Sequence, residues 1–361
     1  MKQKRSLNFC TELEGEKVSD SPPMAQKVIS YMVKGVASGV CEVVASYPTT
    51  DSFDCEQLYD RTWEVLGALE RSGLRVIAIT SDGAATNRAF YSMHMPITPT
   101  LSGVVFDTVN LCAPSRPLYF FSDTPHLLKT IRNCFYKFGY AGSGKPCTRL
   151  LTKNNQVIVW ETIKKLYKED KDHTLRRCFK LNSNNVYLTA YSVMKVSYAA
   201  EVLNNTVARD LEARNWPGTS ETVNFIKKVN DMFDMLNGAS SDQGTRQANP
   251  NLDSYTDVND ERFKKLQEFL DYLDEWKTEV KNKRGFSKGE KAKMMFSQQS
   301  LDGIEMTVRA FTGAMRFLLG EGVAFINARI FCQDPLERYY GKKKTKRRGQ
   351  SEPNRGSVFT E

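Results

Sequence analysis

Three acidic segments of this 361-residue chain have residue types and spacing suited to phosphate chemistry. Asp82 and Asp123 each lie just after an apolar run that is typical of a buried strand. Asp334 and Glu337 lie three residues apart, and this spacing puts both carboxylates on one face of a helix. Carboxylates at strand ends, together with one on a late helix, suggest a Mg²⁺ site for phosphoryl transfer.

Each of these acidic residues also has a structural interpretation. Asp82 begins an Asp-Gly pair, which is common in a tight turn after a strand. Asp123 stands before a Thr-Pro pair at a predicted helix start, where aspartate is an efficient N-cap. Glu337 would otherwise be an exposed helix carboxylate. The neighbouring residues favour a functional role for Asp82 and Glu337 and a capping role for Asp123.

The helix predicted after Asp123 carries further polar side chains. His126 is better explained as a hydrogen-bonding residue than as a metal ligand. Lys129, Arg132 and Asn133 form a face that suits either DNA phosphates or solvent. The sequence leaves these two interpretations of the face open.

Composition gives broad limits on domain count and partners. The length fits two or three domains at about 150 residues each. With 51 Lys plus Arg against 42 Asp plus Glu, the net charge of +9 is compatible with a polyanionic partner. Residues 342–348 hold six cations in seven positions. Such a run is more often a solvated tail or a nuclear-import signal than a DNA contact.

Cysteine usage and hydropathy exclude several classes of protein. The eight cysteines form no Cys-x-x-Cys pair, which favours reduced structural thiols in a cytosolic or nuclear protein. They and the three histidines do not assemble into a zinc finger. Because every apolar stretch is shorter than about 18 residues and the N-terminus lacks an apolar signal region, we expect no transmembrane span and no secretory signal.

Residues 25–150 show the alternation of strands and helices that is typical of an α/β domain. Period-two and apolar runs predict four strands, at residues 27–36, 41–46, 74–80 and 118–122. Helical spacing of apolar residues predicts three helices, at residues 55–69, 84–93 and 124–138. Residues 1–24 are polar and predict an irregular lead-in.

Beyond residue 150 the pattern becomes helical. Long amphipathic stretches over 156–236, including 193–208 and 223–236, predict an all-α domain. Residues 238–260 are rich in Ser, Asp, Asn, Gln and Gly and predict a disordered or surface loop. Further helices are predicted over 262–282 and 307–329, and residues 342–361 are predicted to be flexible.

Three blocks carry a family resemblance. Residues 81–88, 123–133 and 333–341 resemble, in order and rough spacing, signature blocks of P-element-type transposases, including the THAP-domain transposase-like proteins. The resemblance implies an α/β fold with an RNase H-like (DDE transposase) core interrupted by an all-α insertion domain. Its segments would be a core over 25–150, an insertion over 151–300, a return to the core over 301–341 and a basic flexible tail over 342–361.

The resemblance also implies roles for individual residues. Asp82 corresponds to the second member of the catalytic triad and Glu337 to the third, so that both would ligate Mg²⁺. Asp334 would be a supporting carboxylate. The implied partners are DNA, as transposon ends and target, and further copies of the protein, and the implied location is the nucleus.

One signature block of the family has no counterpart in the sequence. The first triad residue belongs to a Phe-Asp-Glu-Met-like strand, whereas Asp20, Asp51 and Asp54 lie in polar turn contexts. We therefore expect a chain that is N-terminally truncated, without the family's zinc-dependent DNA-binding domain, or catalytically decayed, with little or no strand transfer. The alternative is a domesticated, non-catalytic protein that binds DNA or nucleotide.

Two segments bear on nucleotide binding. Residues 139–146 fit G-x-x-x-x-G-K, but Pro146 stands where a P-loop needs Ser or Thr, and a helix rather than a strand comes before them, so we reject a P-loop. The resemblance implies a GTP-binding insertion without a P-loop. In it, Lys180, Lys195 and Val196 would lie near the phosphates.

The same resemblance assigns the base-reading role to Asp234 and Asn237. A carboxylate is suited to accept hydrogen bonds from guanine N1–H and N2–H₂. The alternative is that Asp234 and Asn237 are ordinary residues at a helix end.

Overall fold

The structure is a computed structural model that describes residue 25 and residues 27–49, 54–137 and 149–349, with side chains up to residue 341. The predicted lead-in over 1–24, the glycine-rich segment 139–146 and the tail beyond residue 349 lie outside the described residues. In the described part, no helix is long and apolar enough to cross a membrane.

The strands of the described residues form three small sheets. Their bounds are β1 Lys27–Lys34, β2 Cys41–Thr49, β3 Ala78–Ser81, β4 Asp107–Val109, β5 Pro117–Ser122, β6 Thr152–Lys153 and β7 Gln156–Val157. β1 and β2 form an antiparallel hairpin, and β6 and β7 form a second one. The central sheet has the order β3-β5-β4, with β3 parallel to β5 and β4 antiparallel to it.

Helices dominate the described chain after β5, as the sequence predicts. Their bounds are α1 Cys55–Arg71, α2 Ala85–Ser92, α3 Thr124–Tyr136, α4 Glu161–Asp170, α5 Ser183–Val186, α6 Val196–Val202, α7 Asn205–Arg214, α8 Ser220–Asn237, α9 Gln243–Gln247, α10 Glu261–Asn282, α11 Lys288–Lys291, α12 Gln298–Gly320 and α13 Asp334–Gly349. The predicted mixture of an α/β part and a helical part is confirmed.

Local chemistry explains where the first helix begins and ends. Asp54 caps α1 through a capping box with Gln57, in which each residue's side chain accepts a hydrogen bond from the other's backbone. Gly73, with φ of +82°, ends the helix in a conformation that glycine adopts without strain. Asp54 is therefore a structural cap.

β5 is the centre of the fold. Leu118 and Phe120 are fully buried, and α12 crosses the same strand. The Thr307 hydroxyl lies 3.1 Å from the Ser122 nitrogen and 2.9 Å from the Ser122 carbonyl oxygen, so it satisfies both backbone groups at the strand's end. Because α12 follows the helical segment in the chain, this contact returns the chain to the sheet on which it started.

Aromatic side chains join α3 to the helical segment. The Phe135 ring of α3 lies 5.0 Å from Trp160 and 5.4 Å from Phe225, both edge to face, and Trp276 lies 6.3 Å from Phe225. All four side chains are almost completely buried. Edge-to-face pairs add about 0.5–1.5 kcal/mol each to the burial of apolar area. The α/β part and the helices therefore share one continuous core.

Several predicted helices and strands differ from the structure. The helix predicted over 193–208 is divided, because the Asn204 side chain caps α7 by accepting from the Thr206 and Val207 nitrogens. The helix predicted over 307–329 begins earlier and ends at Gly320. The strand predicted over 74–80 is shorter and only half-buried, and strands β4, β6 and β7 were not predicted.

Residues 238–260 form a loop that contains the short helix α9, which fits the surface-loop alternative of the prediction and not the disordered one. A Cβ at Gly238 would lie 2.5 Å from the Leu252 carbonyl oxygen. Glycine at this position therefore lets two backbone segments of the loop come close together. The Arg262 guanidinium stacks 3.6 Å from the Tyr255 ring centroid and donates to the Ser254 carbonyl at 3.0 Å. α13 also continues to Gly349, so residues 342–349 are helical rather than a flexible tail.

Close packing between α12 and β5 predicts a stability difference between two glycines of α12. A Cβ at Gly313 would lie 2.6 Å from Tyr119 Cε1, whereas at Gly320 it would meet nothing within 4 Å. We expect Gly313→Ala to lower the free energy of unfolding by about 1–3 kcal/mol through overpacking. The control Gly320→Ala should be neutral or stabilising by up to about 1 kcal/mol. Urea titrations measure both, and equal effects would contradict the packing described here.

Candidate functional site

The predicted site residue Asp82 and the predicted helix cap Asp123 lie next to each other at the carboxyl ends of parallel strands. Ser81 and Ser122 are paired in the β3–β5 register, so Asp82 and Asp123 each follow at the same sheet edge. The Asp123 nitrogen donates to the Ser81 carbonyl at 2.9 Å. In open α/β sheets, ligands bind outside this edge of the strands.

Asp82 is both a turn residue and a member of the sheet edge. Its Oδ1 accepts from the Ala84 nitrogen at 2.9 Å and from Asn87 Nδ2 at 2.8 Å. These bonds fix the turn that leads into α2 and hold the side chain in one orientation. The two interpretations of Asp82 are therefore compatible.

Asp123 is buried and accepts three hydrogen bonds. As predicted, it caps α3 through the His126 nitrogen at 3.1 Å, and it also accepts from His126 Nδ1 at 2.6 Å. A third donor comes from far along the chain, because the Gln333 nitrogen lies 2.7 Å from Asp123 Oδ1. Asp123 thus joins the second acidic segment to the third.

His126 and Lys129 bring Glu337 into the same cluster. His126 Nε2 lies 3.8 Å from Glu337 Oε1, and the hydrogen bond to Asp123 raises the pKa of the His126 imidazole. Partial burial lowers the pKa of Lys129, while its ammonium is attracted to Glu337, Asp123 and Asp82. The tertiary structure therefore brings Glu337 next to the His126–Asp123 pair, and the Lys129 charge is attracted to the carboxylates of this sheet edge.

Asp334 has a different role from the predicted supporting carboxylate. Its Oδ2 accepts from Arg329 Nε at 3.0 Å and from the terminal guanidinium nitrogen of the same residue, and Arg338 lies 3.9 Å away. The carboxylate is therefore neutralised by arginine at the start of α13.

Neither of the two interpretations that the sequence leaves open, a face for DNA phosphates or a face for solvent, describes Arg132 and its neighbour Asn133. The Arg132 side chain is fully buried and donates to the Val193 and Lys195 carbonyls at 2.9 and 3.2 Å. Burial lowers its pKa to about 10. Asn133 accepts from Arg132 Nε at 2.8 Å. These residues instead hold the turn before α6 onto α3, because each buried donor needs an acceptor.

The described residues do not fit an Mg²⁺ ion by themselves. Among the residues that the structure describes, no group of three or more His, Cys, Asp or Glu side chains is arranged to hold a metal ion. Asp82 Oδ1 already accepts two hydrogen bonds, and the Lys129 ammonium is attracted to all three carboxylates. Metal ligation by Asp82 and Glu337 remains a prediction.

The predicted base-reading residues lie on one face of the last turn of α8. Asp234 Oδ2 accepts from Asn230 Nδ2 and Asn249 Nδ2, both at 2.8 Å. Burial raises the pKa of Asp234 to about 6. The Asn237 Oδ1 atom is buried and has no hydrogen-bond partner. Six other buried side-chain atoms of the described residues also lack a partner, and at Asn237 a ligand or water could supply the missing donor.

The predicted phosphate-binding lysines lie on neighbouring segments. Lys180 and Asn204 line one narrow pocket. The next residue, Asn205, donates to Asn230 Oδ1 at 3.2 Å, and Asn230 in turn donates to Asp234. Hydrogen bonds thus link the Lys180 pocket to the base-reading side chain.

Lys195 has different surroundings. It directly precedes Val196, the first residue of α6, and its ammonium is exposed 4.7 Å from the Tyr191 ring centroid. A hydrogen bond from the ammonium to Tyr191 raises the pKa of Lys195.

The sequence did not reveal the contacts that Lys129, His126 and Arg329 make with the carboxylates. Asp123 and His126 show the i, i+3 spacing of neighbours on a helix, and this signal was present in the sequence. Nothing in the sequence joins Lys129 to Asp82 and Glu337, because those carboxylates lie on other elements.

The pKa values of two of the three histidines are expected to shift in opposite directions. Burial among aromatic rings lowers the pKa of His94, whose Nε2 accepts from Trp63 Nε1 at 3.2 Å, while the bond to Asp123 raises that of His126. NMR titration should therefore find His126 titrating above its usual 6.5 and His94 below it. Asp123→Asn should lower the His126 value and leave His94 in place. Identical titration of the two rings would contradict the site geometry.

Two protein-family profiles match the chain. The TNP-like RNase H N-terminal domain matches residues 2–94, and the TNP-like GTP-binding insertion domain matches residues 125–248. The chain is 24% identical over 231 residues to the transposable element P transposase of Drosophila melanogaster. That match covers 62% of this chain and spans 28% of the relative's length.

A solved structure has the same fold. The Drosophila P element transposase strand transfer complex superposes with a TM-score of 0.70 over 95% of this chain and 70% of the other, at 20% identity. The RNase H-like α/β class with a helical insertion is thereby confirmed. The chain combines a TNP-like RNase H N-terminal domain with a TNP-like GTP-binding insertion domain, in the fold of a P element transposase.

Proposed function

We propose that the chain is the RNase H-like and nucleotide-binding part of a P-element-type DNA transposase. Its partners would be transposon ends and target DNA, its nucleotide GTP, and its location the nucleus. The observation that carries this proposal is the position of Asp82 and Asp123 at the carboxyl ends of the paired strands β3 and β5, with Glu337 brought next to Asp123 through His126. Carboxylates at such an edge are where phosphoryl-transfer enzymes hold the reacting phosphate.

The reaction of such a transposase is Mg²⁺-dependent DNA cleavage and strand transfer. Two metal ions about 3.5–4 Å apart would need converging ligands, to hold the attacking and leaving oxygens in line. The described residues offer Asp82 and Glu337, but they include no group of three or more His, Cys, Asp or Glu side chains arranged to hold a metal ion. We therefore propose that this polypeptide binds DNA and carries out little or no strand transfer by itself.

A non-catalytic DNA- or nucleotide-binding protein is the second candidate. It is favoured by the charge balance of the cluster, in which Lys129 and His126 face the carboxylates and Arg329 neutralises Asp334. A cluster balanced in this way is stable without a metal ion. The two candidates share the nucleotide site and differ in whether the carboxylates perform chemistry.

GTP recognition is proposed at the last turn of α8. Asp234 would accept from the guanine N1–H and N2–H₂, and Asn237 would supply a second polar contact beside it. Lys180, Lys195 and Val196 would lie toward the phosphates. Support comes from the raised pKa of Asp234 and the unpartnered Asn237 Oδ1, because perturbed and unsatisfied polar groups concentrate at functional sites.

Asp234 lowers the stability of the folded chain at neutral pH. Its pKa rises from 3.8 in a free side chain to about 6 in the fold, because burial penalises the ionised form. The ionisation of Asp234 therefore costs nothing below pH 3.8, and its destabilising contribution develops as pH rises through about 6. The loss at pH 7 amounts to at most about 3 kcal/mol, at 1.36 kcal/mol per pKa unit. A destabilising buried carboxylate is consistent with a binding role.

Asp234→Asn tests the nucleotide site with two independent measurements. We expect the variant to be more stable than the parent at pH 7 by about 1–3 kcal/mol, with the gain vanishing near pH 4. By calorimetry it should lose most of its GTP affinity and gain affinity for XTP, because xanthine presents a carbonyl where guanine has an amine. The matched control Glu221→Gln, in the first turn of the same helix, should keep the preference for GTP. Equal binding of ATP and GTP by the parent would contradict guanine recognition.

DNA binding and strand transfer by the purified chain test the carboxylate cluster. We expect DNA affinity that falls steeply with salt, because phosphate contacts release counterions. Asp82→Asn and Glu337→Gln should each raise that affinity severalfold by removing negative charge at the DNA-facing edge. The exposed Asp274→Asn, on α10, serves as a control and should have no effect. Mg²⁺-dependent cleavage or joining of terminal-repeat DNA would show that the chain is catalytic after all.

A further inference from the structure

One segment of the chain contacts both proposed sites. The connecting segment, residues 326–334, pairs with the loop after α8 through Ile326 and Tyr255, whose backbone groups exchange two hydrogen bonds of 2.9 Å. The Arg329 nitrogen donates to the Gly238 carbonyl at 2.9 Å. Gly238 directly follows Asn237, so the connecting segment touches the turn that carries the proposed base-reading residues.

The other end of the connecting segment lies in the carboxylate cluster. The Gln333 nitrogen donates to Asp123, and the Thr80 hydroxyl donates to the Phe331 carbonyl at 2.9 Å. The Phe331 ring stacks on Phe121 at 4.5 Å. α13 starts at the end of the segment and carries Glu337. The segment therefore fixes one side of the cluster.

Arg329 makes hydrogen bonds to several different elements through its backbone and its side chain. Its backbone nitrogen meets the end of α8, its guanidinium holds Asp334, and its carbonyl accepts from Lys34 Nζ at 3.2 Å. Arg329 is thus a physical link between α8, β1 and α13. Arg329 is therefore placed so that a displacement of one of these elements would act on the other two.

The α8 end of this link has little room to move independently. A Cβ at Gly238 would lie 2.5 Å from the Leu252 carbonyl oxygen, so the two backbones are in contact. Arg262 holds the backbone beyond Leu252, by donating to the Asp253 and Ser254 carbonyls. A ligand that shifts the last turn of α8 must therefore displace its neighbours, of which the connecting segment is one.

We propose that Arg329 is a positioning residue that couples occupancy of the Asp234–Asn237 turn to the geometry of the carboxylate cluster. The proposal rests on the nucleotide site proposed above. Guanine nucleotide at the last turn of α8 shifts Gly238, and Arg329 passes the shift through Asp334 to α13 and Glu337. By linkage, a change at the cluster alters nucleotide affinity by the same factor, typically about 5- to 150-fold.

His126 provides a direct report on this coupling, because it contacts both Asp123 and Glu337, whereas His94 lies in a separate aromatic cluster. In NMR spectra of the full chain, GTP should shift the His126 ring signals and leave those of His94 in place. Arg329→Gln should reduce the His126 response while calorimetry still detects GTP binding. Asp334→Asn removes the Arg329–Asp334 ion pair by changing the carboxylate, and it should reduce the His126 response in the same way.

A nucleotide-free variant separates failure of the coupling from failure of the nucleotide site. Gly238→Ala has a compatible backbone, with φ of −57°, but its Cβ would press on Leu252. It should shift His126 without any ligand, and adding Arg329→Gln should diminish that shift. Arg309→Gln, which removes the Glu305 ion pair on α12, is the control and should change neither response.

The outcomes are distinct. If GTP binds and His126 is unmoved by both GTP and Gly238→Ala, the coupling is wrong and the nucleotide site stands. If GTP does not bind but Gly238→Ala shifts His126 through Arg329, the mechanical link stands and the nucleotide proposal is wrong. An undiminished His126 response in Arg329→Gln and in Asp334→Asn would overturn the role of Arg329.

Discussion

The buried carboxylate of Asp123 is the interaction on which the remaining site geometry depends. An ionised group at 2% exposure is stable only when donors surround it, and Asp123 has three. Two come from His126 at the start of α3, and the third is the Gln333 nitrogen, which lies 210 residues further along the chain. Without Gln333, one Asp123 oxygen would lack its donor. The contact therefore stabilises the return of the chain to this sheet edge after the helical insertion.

Buried polar groups also shape the insertion. Arg132 on α3 organises the turn before α6 by donating to its carbonyls, and Asn204 divides what would otherwise be one helix. Hydrogen bonds therefore run from the turn at Asn205 to Asn230 and on to Asp234. These contacts place the proposed nucleotide-binding side chains on the same core that supports the sheet. Aromatic packing between α3 and the insertion makes the two parts mechanically continuous.

The cluster at the sheet edge contains basic side chains as well as carboxylates. Lys129 is attracted to three carboxylates, His126 keeps its proton more readily beside Asp123, and Arg329 occupies Asp334. The same basic groups that stabilise the carboxylates here would have to share them with a metal ion. This competition is the physical reason for proposing DNA binding with little or no strand transfer by this polypeptide.

The sequence by itself determined the elements whose signals are local. Apolar runs predicted β5, helical spacing and caps predicted α1, α3, α8 and α10, and the residues flanking Asp82 and Glu337 marked both as site candidates. The tertiary structure decided everything that depends on distant partners. These features include the bond between Asp123 and Gln333, the burial of Arg132, the ordering of residues 238–260 by close backbone contacts, and the neutralisation of Asp334 by Arg329. Periodicity and capping act within a few residues, whereas burial and charge pairing depend on which surfaces meet after the chain has folded.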